Sequence, residues 1–150
     1  MQTEPATTAP HEVRFTEWTP WSDRRRLRTS DPQMGVYLWA RFEAFPTPTV
    51  HPWPDLPETL VYVGEANNLN KRPLASDHHG IEKYHATFPD DMDLSKLYVA
   101  VFRYVPFTGG LETPKHRVYT QFLEAQISWE YVLRYGRPVA LYYKKGKYGH

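Results

Sequence analysis

The chain contains no cysteine. That absence excludes disulfide staples, thiolate catalysis and cysteine-ligated zinc together, and it fits a reducing, cytoplasmic setting. No apolar run approaches the ~20 residues that a membrane-spanning helix needs. The opening MQTEPATTAPHEV has neither a basic start nor an apolar segment, so it reads as a tail rather than a signal peptide. Charge of one sign is also scarce. Lys and Arg total 18 against 17 Asp and Glu, a net of +1, so overall charge does not mark the chain as a nucleic-acid binder. Disorder throughout is excluded by 41% hydrophobic residues, and 150 residues suffice for one domain with a single core.

What is present falls into alternating strand and helix patterns. MGVYLWARF (34–42) and TLVYVG (59–64) are rich in β-branched and aromatic residues and predict two strands. Between them EAFPTPTVHPWPDLPE carries five prolines, which cannot donate to a sheet ladder, so it forms a loop. Two strands so close in sequence pair most simply as antiparallel neighbours. A short helix is expected over 71–78 with Asn70 as its cap, because Pro73 then falls in the first turn. IEKYHATF adds a helical turn.

KLYVAVFRYV (96–105) is apolar from Leu97 to Phe102 and reads as a central strand buried on both faces. Thr113-Pro114 opens a long helix ending near Tyr135, stopped by Gly136 and Pro138. Along it Val118, Phe122, Ala125, Trp129, Val132 and Leu133 form the main apolar stripe. Glu124 lies roughly opposite, near Ile127 and Tyr131, which would line a second contact with Glu124 in a cleft if the helix is covered on both sides; Glu130 and Glu112 are the rival carboxylates. VALYYKK (139–145) predicts a last short strand. The expected fold is α/β (α+β), a small antiparallel three-stranded sheet flanked by helices. Residues 1–30 read as an N-terminal extension containing Trp18 and Trp21 as anchors, 31–143 as the domain, and 144–150 as a basic tail.

Taken singly, the tyrosines and glycines of the strands are ordinary packing residues. In order they carry more. Gly35-Val36-Tyr37 lies on one strand and Tyr62-Val63-Gly64 on the next. Arg72 follows eight residues after Gly64, and Glu124 sits in the late helix LEAQISWEYVLRYGRP. This ordered set resembles the GIY-YIG nucleases, with valine in place of isoleucine in both elements. The likeness spans residues 34 to about 141.

The resemblance implies a metal-dependent endonuclease that hydrolyses DNA phosphodiester bonds. Tyr37 would then be the general base, Tyr62 would position water or phosphate, and Arg72 would neutralise the charge developing on phosphorus. Glu124 would hold one Mg²⁺ or Mn²⁺. A tyrosine can act as a base only if its pKa, ordinarily about 10, is depressed. Gly64 would let the chain leave the sheet beside a phosphate, with Lys71 next to it. His78 and His79, a little beyond Arg72, are further candidates for proton transfer or phosphate contact. Zinc bound by His78, His79 and His85 is disfavoured because adjacent histidines rarely share one ion.

Arg24, Arg25 and Arg26 at one end and Lys144 and Lys145 at the other are basic segments suited to a phosphate backbone. Cutting both strands with one site per chain points to a homodimer. Three positions depart from the family pattern. Glu65 stands where a lysine is usual, Ser76 where a histidine or tyrosine is, and Val139-Ala140-Leu141 where an asparagine is. They keep a rival reading open, a catalytically silent module that retains the fold and binds nucleic acid or protein.

Overall fold

The computed structural model describes residues 13–30, 33–44, 46, 55–74, 80–104 and 114–142, with side chains of the last segment from Arg117 onward. Four strands, β1 (Thr19–Pro20), β2 (Gly35–Arg41), β3 (Leu60–Ala66) and β4 (Leu97–Arg103), form one antiparallel sheet in the order β1-β4-β2-β3. The helices are α1 (Gly80–Thr87) and α2 (Pro114–Tyr135), with short 3-10 segments at Trp21–Leu27 and Pro89–Asp91. The architecture is α+β.

The apolar continuity of β2 and β4 follows from their central place. Each is buried along nearly its whole length, with one face under α2 and the other under the α1 side of the molecule. Val36, Leu38 and Ala40 join Ala100, Phe102 and the α2 residues Leu123, Ile127 and Tyr131 in one core. Tyr37 and Trp39 point the other way, into a second core with Val99, Val101, Leu69, Leu74 and Tyr84. This is the period-2 alternation of a sheet covered on both faces. A register shift opposite Trp39 and Ala40 brings Tyr62 across from Trp39 and Leu60 across from Ala40. Such a bulge changes which side chains of β3 face each layer.

Several expectations need correction. The sheet has four strands instead of three, because Thr19–Pro20 pairs with Val99 and Tyr98 at the edge of β4. Proline is tolerated there because an edge position does not need its missing donor. Trp18 and Trp21 are buried as expected, so the described part of the N-terminal segment belongs to the core. β3 does not end at Gly64 but runs on to Ala66.

Residues 71–74 form a turn where the helix over 71–78 is expected to start, and residues 75–79 lie outside the described residues. Asn70 is not a free cap, since its side-chain amide donates to the Thr29 carbonyl at 2.7 Å and its Oδ1 accepts from the Thr29 amide at 3.0 Å. Residues 139–142 form no strand, although the Leu141 amide donates to the Val61 carbonyl at 2.8 Å; Lys144 and Lys145 lie outside the described residues. Helix α2 ends as expected. Gly136 takes the left-handed conformation (φ +77°) and its amide reaches the Val132 carbonyl at 2.8 Å.

The largest correction concerns the face of α2. Val118, Phe122, Trp129 and Leu133 are 58–65% exposed. The sheet is met instead by Thr120, Leu123, Ile127 and Tyr131, all buried. Burying each of the three large apolar side chains is worth about 1.5–3 kcal/mol. Tyr131 and Tyr135 also donate to the carbonyls of Glu58 and Leu56, at 2.6 and 2.5 Å. The helix therefore has two apolar faces, and only one of them is used internally.

Candidate active site

Strand β3 is one of the sheet's two outer strands, and the candidate site wraps around it. A cleft of about 650 Å³ is lined by Tyr62, Val63 and Glu65 from β3, Arg72 from the following turn, and Arg117, Gln121, Glu124 and Ser128 from α2. On α2 these four positions are spaced four, three and four apart, so they share one helical face. Three of the four residues singled out from the sequence, Tyr62, Arg72 and Glu124, line this one cleft. The fourth, Tyr37, lies directly behind it.

Tyr37 is fully buried, its ring centroid 5.9 Å from that of Tyr62. Its hydroxyl is hydrogen-bonded to both Arg72 and Tyr62. A guanidinium can only donate, so the Tyr37 oxygen accepts from Arg72 and its own proton is left for Tyr62. The result is a relay from Arg72 through Tyr37 to Tyr62, whose side chain is half-buried at the cleft. Burial pushes the Tyr37 hydroxyl far above the ordinary tyrosine value; Tyr62 adds to the rise and Arg72 opposes it. The general-base role that the resemblance implies for Tyr37 would need this proton to be loosened by a cation bound nearby.

Arg72 is positioned by the turn. Its amide donates to the Asn68 carbonyl at 3.0 Å, and the Asn68 side chain accepts from the Asn70 amide at 3.1 Å. Burial works against its charge, but Tyr37, Tyr62 and Glu65 more than offset that, so its pKa stands above the ordinary arginine value. The guanidinium stays a cation at the cleft wall. Lys71 beside it is exposed, whereas His78 and His79 lie outside the described residues.

Gly64 stands opposite Tyr37 in the β2–β3 ladder, and it makes room for that ring rather than for a departing chain. Glu65 does not push an uncompensated negative charge into the cleft. Arg117 approaches it with Nε at 2.8 Å from Oε2 and Nη2 at 3.1 Å from Oε1, and Thr120 donates to Oε2 at 3.0 Å. The other Arg117 nitrogen reaches the Asn67 side-chain oxygen. This two-pronged pairing fixes the N-terminal half of α2 to the end of β3. Sequence reading missed Arg117, Gln121 and Ser128. The signal was there in the polar stripe they share with Glu124.

The donor set suits a hard cation that keeps its waters. Among the described residues no three His, Asp or Glu side chains cluster as a multi-ligand metal site. Two carboxylates line the cleft, Glu65, which Arg117 holds, and Glu124, which shares a helical face with the neutral oxygens of Gln121 and Ser128. One carboxylate with neutral oxygens and solvent fits Mg²⁺ or Mn²⁺ better than zinc.

Of the basic segments, Arg25 and Arg26 are exposed on the 3-10 segment Trp21–Leu27, while Arg24 lies 4.3 Å over the Trp21 ring. The Thr29–Asn70 bonds tie the end of this segment to the turn that carries Arg72. No helix among the described residues is long and apolar enough to cross a membrane. No protein-family model, curated protein or solved structure matches this chain.

Proposed function

We propose that the chain is a metal-dependent endonuclease of the GIY-YIG type, hydrolysing phosphodiester bonds of DNA. One observation carries this reading. Residues from opposite faces of the sheet, Tyr62 and Arg72 on one side and Glu124 on the other, line a single cleft around strand β3.

The chemistry asks for such a set. Attack on a phosphodiester builds negative charge on the equatorial oxygens, and a guanidinium already fixed in place stabilises that charge without having to reorganise. Arg72 is held for this by Tyr37 and the Asn68 turn. Removing one such donor costs about 100- to 1,000-fold in rate. Tyr62 is the tyrosine that reaches the cleft, and it orients the attacking water or a phosphate oxygen. Tyr37 serves as its buried support. Glu124, with Gln121 and Ser128, would hold the cation. When bound, Mg²⁺ or Mn²⁺ supplies positive charge next to the leaving oxygen.

The burial of Tyr37 and the engagement of Glu65 by Arg117 favour a second reading, the silent binding module. Nicking of supercoiled plasmid with Mg²⁺ or Mn²⁺ separates the two. Cleavage by wild type, abolished in Glu124→Ala while DNA binding persists, supports the nuclease. Undiminished cleavage in Glu124→Ala would remove its metal role, and no cleavage by wild type would leave the binding module. Binding through Arg25, Arg26 and Lys71 would weaken steeply with salt, as phosphate contacts release counterions.

A further inference from the structure

We propose that two copies of this chain pair through the outward stripe of α2. The nuclease reading is not needed for this inference. Val118, Phe122, Trp129 and Leu133 are exposed to 62, 60, 58 and 65%, a degree uncommon for four such residues in one row. Two of them are aromatic, a type that carries roughly 150–250 Å² of contact surface each. The four together leave on the order of 500 Å² per chain, near the top of what a soluble monomer exposes in its largest apolar patch. A standard interface takes about 800 Å² from each partner, and the flanking Tyr119, Gln126, Glu130 and Arg134 make up the difference.

The spacing points to a helix as the occupant. Positions 118, 122, 125, 129 and 132 alternate steps of four and three, the heptad seam along which one helix packs on another. No charged residue interrupts it. The seam is also self-complementary. A two-fold axis between Ala125 and Gln126 sets Val118 against Leu133 of the second copy and Phe122 against its Trp129. The small Ala125 at the axis lets the backbones approach. A shallow cleft of about 420 Å³, lined by Gln126, Trp129, Glu130, Leu133 and Arg134, can receive the second copy's Phe122. An isologous contact of this kind closes after two copies. The antiparallel arrangement also sets each helix dipole against the other favourably.

The pairing leaves the candidate site open. At about 100° per residue, the face carrying Arg117, Gln121, Glu124 and Ser128 lies roughly a quarter-turn from the seam, and the sheet-facing residues lie opposite it.

Sedimentation of the full chain over a range of concentrations tests the proposal. Wild type is expected at twice the monomer mass and Phe122→Glu/Leu133→Glu at the monomer mass, with unchanged far-UV circular dichroism. A wild type that stays monomeric, or a double variant that stays dimeric, would overturn it. Because the chain has no cysteine, a single introduced thiol reads the geometry directly. Ala125→Cys should link two copies on oxidation and Val118→Cys should not. Linkage through Val118→Cys but not Ala125→Cys would refute the antiparallel seam.

Discussion

The ring of Tyr37 packs onto the backbone of Gly64, its neighbour across the β2–β3 ladder. A Cβ at position 64 would lie 2.3 Å from Cζ and 2.5 Å from the hydroxyl oxygen of Tyr37. The glycine of one motif thus makes space for the tyrosine of the other. Gly64→Ala should cost about 1–3 kcal/mol of stability, the usual penalty of overpacking a tight core. It should also displace the hydroxyl from Arg72. In a Tyr37→Leu background the same change should cost much less, and chemical denaturation of the four variants of this cycle measures that coupling.

The two tyrosines are expected to part company in activity. Tyr62→Phe removes the hydroxyl that reaches the cleft and should lower plasmid nicking by about 100-fold. Tyr37→Phe removes a buried hydroxyl that steadies Arg72 and Tyr62 from behind and should cost less, about tenfold. Equal losses, or a larger loss in Tyr37→Phe, would return Tyr37 to the chemistry itself.

Arg117 should matter to stability more than a surface arginine does. The Glu65 side chain is 8% exposed and the Arg117 side chain 29%, so removing the cation strands a largely buried carboxylate. Arg117→Ala is expected to cost about 3 kcal/mol. Arg117→Met with Glu65→Gln, which removes both charges, should recover most of it. Thermal unfolding of the single and double variants decides this.

Stability should fall in alkali earlier than lysine or arginine titration would require. Burial raises the hydroxyls of both Tyr37 and Tyr84, and Tyr84 additionally donates to Asp91 at 2.6 Å. Their folded pKa values lie above those of the unfolded chain. The unfolded state therefore loses protons first, at about pH 10, and is favoured from there upward. The contribution of both groups is complete below that pH and declines as pH rises toward their folded values. Denaturation midpoints measured from neutrality to strong alkali should show the drop, and Tyr84→Phe should make it shallower.

Much of this was legible in local sequence. The three long strands announce themselves by Val, Tyr and Leu density, and the end of α2 by Gly136. The two motifs lie on consecutive strands that pair antiparallel, and Arg72 follows eight residues after Gly64, so short-range connectivity brings them into one neighbourhood. What escaped depends on distant partners. Asn70 reads as a helix cap until Thr29, 41 residues away, takes both ends of its amide. Thr19–Pro20 is too short to stand out and is a strand only because β4 lies beside it. The Arg117–Glu65 pair spans 52 residues. Periodicity correctly finds an apolar stripe on α2, but it cannot say which of two apolar faces the sheet will take.

The Thr29–Asn70 clasp bears on where the working unit of this protein begins. A chain trimmed to start at Met34 would retain both motifs, Arg72 and Glu124. It would lose Phe15, Trp18 and Trp21 from the two cores, and the backbone that grips Asn70. The loop presenting the guanidinium would then be held from one side only. The stretch before the first motif is thus the brace that holds the turn bearing Arg72 in place.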